Sequence, residues 1–107
     1  MSGLLVFCNA PDQAVAEQLA SLLVEERLAA CVNILAPCVS VYRWEGHIER
    51  EQEVPLLIKT TAARYAGLEA RLKALHPYEI PEIIACDITH GLPAYLTWVA
   101  QAMISRD

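Results

Sequence analysis

A chain of 107 residues fits a single domain, and with 55% hydrophobic residues it is richer in apolar side chains than a soluble monomer of that size requires, so part of the surplus is expected at an interface between copies. Eight basic against thirteen acidic residues give a net charge of -5, which repels phosphate backbones and anionic lipid and argues against a nucleic-acid partner. No stretch approaches the roughly 18 uninterrupted apolar residues of a membrane span, and Met1-Ser2-Gly3-Leu4 lacks the basic flank of a signal peptide, so no membrane partner and a cytoplasmic location are expected.

In chain order, Leu4-Leu5-Val6-Phe7-Cys8 is an apolar run closed by Asn9-Ala10-Pro11-Asp12, which predicts a buried first strand and a turn. Asp12 stands where a helix cap is needed. Val15, Leu19, Leu22 and Leu23 then recur at helical spacing, with Glu17, Gln18, Glu25 and Glu26 largely off that stripe. From Ala30 to Trp44, the residues Cys31, Val32, Ile34, Leu35, Val39, Val41, Tyr42 and Trp44 make a long strand-prone stretch that only Pro37 interrupts, as a bend or a bulge. Glu45-Gly46 predicts a tight hairpin turn. The returning strand alternates, with Ile48, Val54, Leu56 and Ile58 on one face and Glu49, Glu51 and Glu53 on the other. A second helix, capped at Thr60 or Thr61, carries Tyr65, Leu68, Leu72 and Leu75 and stops at His76, because Pro77 disfavours helical geometry in the residue before it. A fourth strand over Glu82 to Thr89 places Ile84, Cys86 and Ile88 on one face. Gly91 and Pro93 then open a last helix carrying Tyr95, Leu96, Trp98, Val99, Ala102 and Met103. The order is an α+β, ferredoxin-like βαββαβ with a C-terminal helix and a long central hairpin, in one domain over residues 1–107.

The hairpin argues for assembly. Two strands of roughly 13 residues extend for about 43 Å at ~3.3 Å per residue. A helix of roughly 15 residues covers only about 22 Å of that. The uncovered half carries Tyr42, Trp44 and several aliphatic residues, and a second copy of the chain is the economical cover. The alternative is that Pro37 folds the strand back on its own domain.

Several segments resemble one family in succession: Glu26-Arg27-Leu28-Ala29-Ala30-Cys31-Val32-Asn33, Tyr42-Arg43-Trp44-Glu45-Gly46, Lys59-Thr60, and His76-Pro77-Tyr78-Glu79-Ile80-Pro81-Glu82, followed by Gly91, Tyr95 and Trp98. In this the chain is similar to the CutA divalent-cation-tolerance family. The resemblance implies a ferredoxin-like subunit in a homotrimer whose hairpins pair across subunits, cytoplasmic residence, and a link to tolerance of divalent cations, copper above all.

Cys8 and His76 are the candidate metal ligands. Cys8 ends the first strand, where its thiol either meets solvent as a soft donor for copper(I) or stays in the core as a small apolar group. His76 sits where Pro77 breaks the second helix. Its imidazole is either a second ligand or, protonated, a partner for the carbonyls at the helix end. The resemblance implies a copper site made of a cysteine matching Cys8 and a His-His pair before Pro-Tyr, and here Leu75 takes the place of the first histidine. Glu49, Glu51 and Glu53 read as a solvated face, His47 and His90 as surface residues, and Lys59 as the partner of a glutamate. Tyr42, Trp44 and Trp98 read as interface packing. Cys8, Cys31, Cys38 and Cys86 contain no Cys-x-x-Cys pair and read as free thiols of a reducing compartment.

No enzyme is expected. Phosphate chemistry on this topology needs glycine and arginine after the first strand, and Asn9-Ala10-Pro11-Asp12 supplies neither. The expected function is a homotrimeric divalent-cation tolerance protein that binds copper or another divalent metal ion. The alternative is a signalling or scaffold trimer that takes a small anionic ligand or partner protein between subunits, as PII-like regulators do.

Overall fold

Asp12 ends the first strand and starts the first helix: its backbone is extended and its carboxylate accepts the Val15 N–H at 2.9 Å, so one of the orphan donors of the helix is satisfied. The computed structural model describes residues 3–104. In order it contains β1 (Gly3–Ala10), α1 (Gln13–Glu25), β2 (Cys31–Ile34), β3 (Cys38–Trp44), β4 (His47–Thr61), α2 (Ala62–Leu75), β5 (Ile83–Asp87) and α3 (Pro93–Ala102). Of the two candidates Thr60 and Thr61, Thr61 takes the position before α2 but makes no side-chain capping hydrogen bond, and the stop at His76 holds.

The sheet is antiparallel throughout, in the order β2-β4-β1-β5, and β3 pairs with the outer part of β4 alone. The stretch from Ala30 to Trp44 is therefore two strands rather than one. Ile34 lies opposite Leu56 and Cys38 opposite Glu53, so four steps on one side face three on the other, the one-residue excess of a β-bulge. Pro37 explains the place: Leu35 still donates its N–H to the Pro55 carbonyl at 2.9 Å, but Pro37 has no N–H with which to continue.

Alternation along β1 and β4 sends Leu4, Val6, Cys8, Ala10, Val54, Leu56 and Ile58 to one face. Both α1 and α2 cover that face, through Ala16, Leu19 and Leu23 and through Leu68 and Leu72. Each large aliphatic side chain buried there contributes roughly 1.5–3 kcal/mol. The hydroxyl of Thr60, also buried, donates to the Leu28 carbonyl at 2.7 Å and so avoids an unpaired polar group. On the reverse face Leu5, Phe7 and Leu57 are half-buried, while Ile84 and Cys86 are exposed. The chain returns over one end of that face as α3, whose last carbonyls are held by Arg27 on Ala102 and Arg64 on Met103.

Beyond Glu53 the hairpin runs clear of both helices. Glu45 and Gly46, at φ 49° and 82°, close it with the two positive values of a primed turn. Val39 and Ile48 are 66% and 59% exposed, so Ile48 does not join the buried row of Val54, Leu56 and Ile58 as the alternation predicts. The reason is that the helices end before the strand does. A radius of gyration of 14.5 Å against the roughly 13 Å of a compact chain of this length records the same protrusion.

Candidate functional site

The inward alternation of β1 decides the fate of Cys8. Its side chain is 1% exposed, so of the two readings the buried thiol holds. Burial, and then the negative charges of Glu82 and Glu53, push that thiol up to about 12. The Asn9 carbonyl, 3.9 Å from Sγ, pulls the other way, by more than Glu53 pushes. Cys8 is thus a neutral thiol at neutral pH.

His76 caps α2, donating its own backbone N–H to the Leu72 carbonyl at 2.8 Å. Its side chain is buried beside the end of β1. Nδ1 accepts the Tyr78 N–H at 3.1 Å, so the ring proton lies on Nε2, which donates to the Asn9 carbonyl oxygen at 2.6 Å. The partner is a carbonyl of β1 and not those of the helix end, which corrects that part of the sequence reading. Pro77 forces the chain out of the helix, and the Tyr78 ring then lies 4.6 Å from the imidazole, centroid to centroid. The Asn9 side chain fixes the other end of the loop by donating to Glu82 at 3.3 Å.

Cys8 and His76 therefore both approach one atom, the Asn9 carbonyl oxygen. A soft thiol and an imidazole are donor types that fit copper(I). The count is short of a closed centre: among the described residues no group of three or more His, Cys, Asp or Glu is placed to hold a metal ion. Both nitrogens of His76 are also engaged, so ligation by this ring requires release of Asn9 or Tyr78.

The other candidates fall elsewhere. Lys59 donates to the Asn33 side-chain oxygen, not to a glutamate. His47 and His90 are exposed, as expected. Cys8, Cys31, Cys38 and Cys86 are all free thiols. Trp98 pairs with Tyr95 on α3 at 5.6 Å, apart from Tyr42 and Trp44. Glu53 corrects the expectation of a solvated acidic face: it is 7% exposed. Burial first, and then the nearby Glu53 carboxylate, raise the Tyr78 phenol well above its ordinary range. Tyr42, Trp44, Tyr78, Glu79 and Ile80 enclose a cavity of about 210 Å³. Sequence reasoning missed this cleft. The signal was the pair Pro77 and Pro81, which bracket Tyr78-Glu79-Ile80 in a stiff loop.

The family described as CutA1 divalent ion tolerance protein matches residues 4–102. The divalent-cation tolerance protein CutA of Thermus thermophilus is 47% identical over 97 residues, which are 91% of this chain and 94% of that protein. The crystal structure of CutA from Xylella fastidiosa superposes with a TM-score of 0.94 at 48% identity, covering 97% of this chain and all of that one. The periplasmic divalent cation tolerance protein CutA from Archaeoglobus fulgidus superposes with a TM-score of 0.92 at 36% identity, over 95% of this chain and 99% of that one.

Proposed function

Because the chain belongs to the CutA1 divalent ion tolerance family, we propose that it is a divalent-cation tolerance protein without catalytic activity, in which Cys8 and His76 take up copper or a related ion weakly. Its working form is a homotrimer of single-domain subunits over residues 1–107. Counted with β2 and β3 as one bulged strand, the subunit is the ferredoxin-like βαββαβ with a terminal helix. The protein resides in the cytosol, where its four cysteines remain thiols.

One juxtaposition carries the metal reading: a thiol and an imidazole converge on the Asn9 peptide, where Glu82 and Glu53 add negative potential that favours a cation. The missing third donor and the engaged His76 nitrogens make the affinity low. Trimer assembly is supported by the bare hairpin, whose exposed Val39, Val41 and Ile48 invite cover. An anion-binding signalling trimer has less support, since Asn33 already engages Lys59.

The test is a copper(I) titration of the untagged protein under reducing conditions, with native mass measured in parallel. Saturable uptake that Cys8→Ser abolishes and His76→Ala weakens, in particles of three chains, is the expected result. Uptake indifferent to Cys8→Ser rejects the metal reading, and single chains at low concentration reject the trimer.

A further inference from the structure

We propose that Cys31 and Cys86 form an oxidisable pair between copies of the chain: Cys31 on the free edge of β2 meets Cys86 on the free edge of β5 in the next copy, and hydrogen peroxide closes the two thiols into a disulfide. The pair rests on the trimer reading and goes beyond it. Neither Cys8 nor His76 takes part.

The sheet ends in two bare edges. In the order β2-β4-β1-β5, each of β2 and β5 has a single strand neighbour among the described residues. On the helix side, a groove along Ala20, Val24 and Val32 leaves the first edge open, and one along Ile80, Pro81 and Ile83 leaves the second. Such edges are templates for another strand. β2 and β5 run in opposite directions, because three antiparallel pairings separate them. β5 of a second copy therefore extends the sheet beyond β2 as one more antiparallel strand, with the same face turned the same way.

The register decides which residues meet. Cys31 pairs with Lys59, Lys59 with Leu5, and Leu5 with Cys86, so both cysteines stand in one row on the face away from α1 and α2. Cys86 is exposed, Cys31 is half-buried, and both are free thiols. Leu35 donates its N–H to Pro55 and Ile88 donates its own to Gly3, each directly opposite. By alternation Cys31 and Cys86 also turn their backbone groups toward their own neighbours, while Val32 and Ile34 on one edge and Ile83 and Ala85 on the other turn theirs outward. Joining the edges through those outward groups, with all of Cys31–Ile34 paired inside Ile83–Asp87, leaves one register. In it Val32 faces Ala85, Ile34 faces Ile83, and Cys31 faces Cys86. A pair of this non-hydrogen-bonded kind sets its Cα atoms ~4.5 Å apart, inside the roughly 4.4–6.8 Å that a disulfide spans. Within one subunit the same two residues are separated by β4 and β1, about 14 Å across, so the bridge forms only between copies.

The chemistry balances with peroxide as oxidant. One thiolate attacks a peroxide oxygen, the O–O bond breaks, and a sulfenic acid and water result. The second thiol attacks the sulfenic sulfur, the S–O bond breaks, and a second water leaves. One S–S bond replaces two S–H bonds, and the two electrons go to peroxide.

The experiment uses the full chain with Cys38→Ser, which removes the exposed hairpin thiol. Reduced protein is treated with hydrogen peroxide at two well-separated chain concentrations and followed by non-reducing gels and peptide mass mapping, with the native mass of the reduced protein measured alongside. Covalent species of two and three chains linked from Cys31 to Cys86, in a yield that dilution leaves unchanged, are expected. Cys31→Ser or Cys86→Ser should remove those species, and coexpression of the two variants should restore a linked pair containing one chain of each. Cys8→Ser should leave the yield unchanged, so the metal reading is tested separately. Particles of three chains in which peroxide links no Cys31 to Cys86, or links that fade on dilution, overturn the proposal and leave the trimer standing. Single chains at both concentrations overturn the two together.

Discussion

The two halves of β4 carry similar residues and meet opposite fates. From Val54 to Thr61 the strand is central in the sheet, flanked by β1 and β2 and covered by α1 and α2, and Leu56 and Ile58 are sealed. From His47 to Gln52 it has one neighbour, β3, and no helix above it, so Ile48 lies open with Val39 and Val41. Alternation alone does not distinguish these halves. What distinguishes them is the reach of the helices, which end before a strand of 15 residues does.

The largest effect should come from the inner half. Ile58→Ala or Leu56→Ala removes packing that the subunit cannot replace, at roughly 2–5 kcal/mol, read as a lower urea midpoint at unchanged slope. The outer half should answer differently. Val41→Lys puts a charge on the exposed ladder face and is expected to leave far-UV circular dichroism intact while shifting sedimentation toward smaller species. If Val41→Lys unfolds the chain as Ile58→Ala does, the halves are not energetically distinct and the comparison fails.

Much of the element layout was legible beforehand because its rules are local. Asp12 and Thr61 stand at the helix starts, Pro77 forces the stop at His76, and Glu45-Gly46 closes the hairpin, each within a few residues of its effect. The candidate site was legible only as a pair of residue types. That the His76 ring is spoken for by Asn9 and Tyr78 follows from β1 returning beside a loop 67 residues later, which no local pattern carries. Glu53 misled for the same reason. Strand alternation marks it as solvated, and the Tyr78 loop that buries it comes from beyond α2.

A smaller effect tests Cys8 as a member of the sealed half. Its thiol ionises near 9.0 in the unfolded chain and near 12 when folded. The group's contribution is therefore fully present below about 9 and is lost as pH rises toward 12, because the unfolded chain gives up the proton first. One unit above 9.0, the loss is about 1.4 kcal/mol. With chelator present, the parent should lose that much more stability than Cys8→Ala between neutral pH and that point. Parallel pH profiles for the two would mean that the thiol reaches water.

The smallest effect belongs to the tip of the outer half, and it separates strain from burial. Gly46 holds φ 82° with nothing within 4 Å of where a Cβ would stand, so Gly46→Ala meets no clash and pays only for the left-handed backbone, roughly 1 kcal/mol. Glu45, at φ 49°, already bears such strain, and Glu45→Gly trades its relief against a more flexible unfolded chain, for a change near zero. Both changes lie where no helix holds the ladder. The Gly46→Ala strain should therefore appear as faster amide exchange in the outer strands, with the urea midpoint of isolated subunits almost unmoved. An equal loss of protection in the inner half, from Val54 to Thr61, would show that the strand unfolds as one unit and that the hairpin is no separate element.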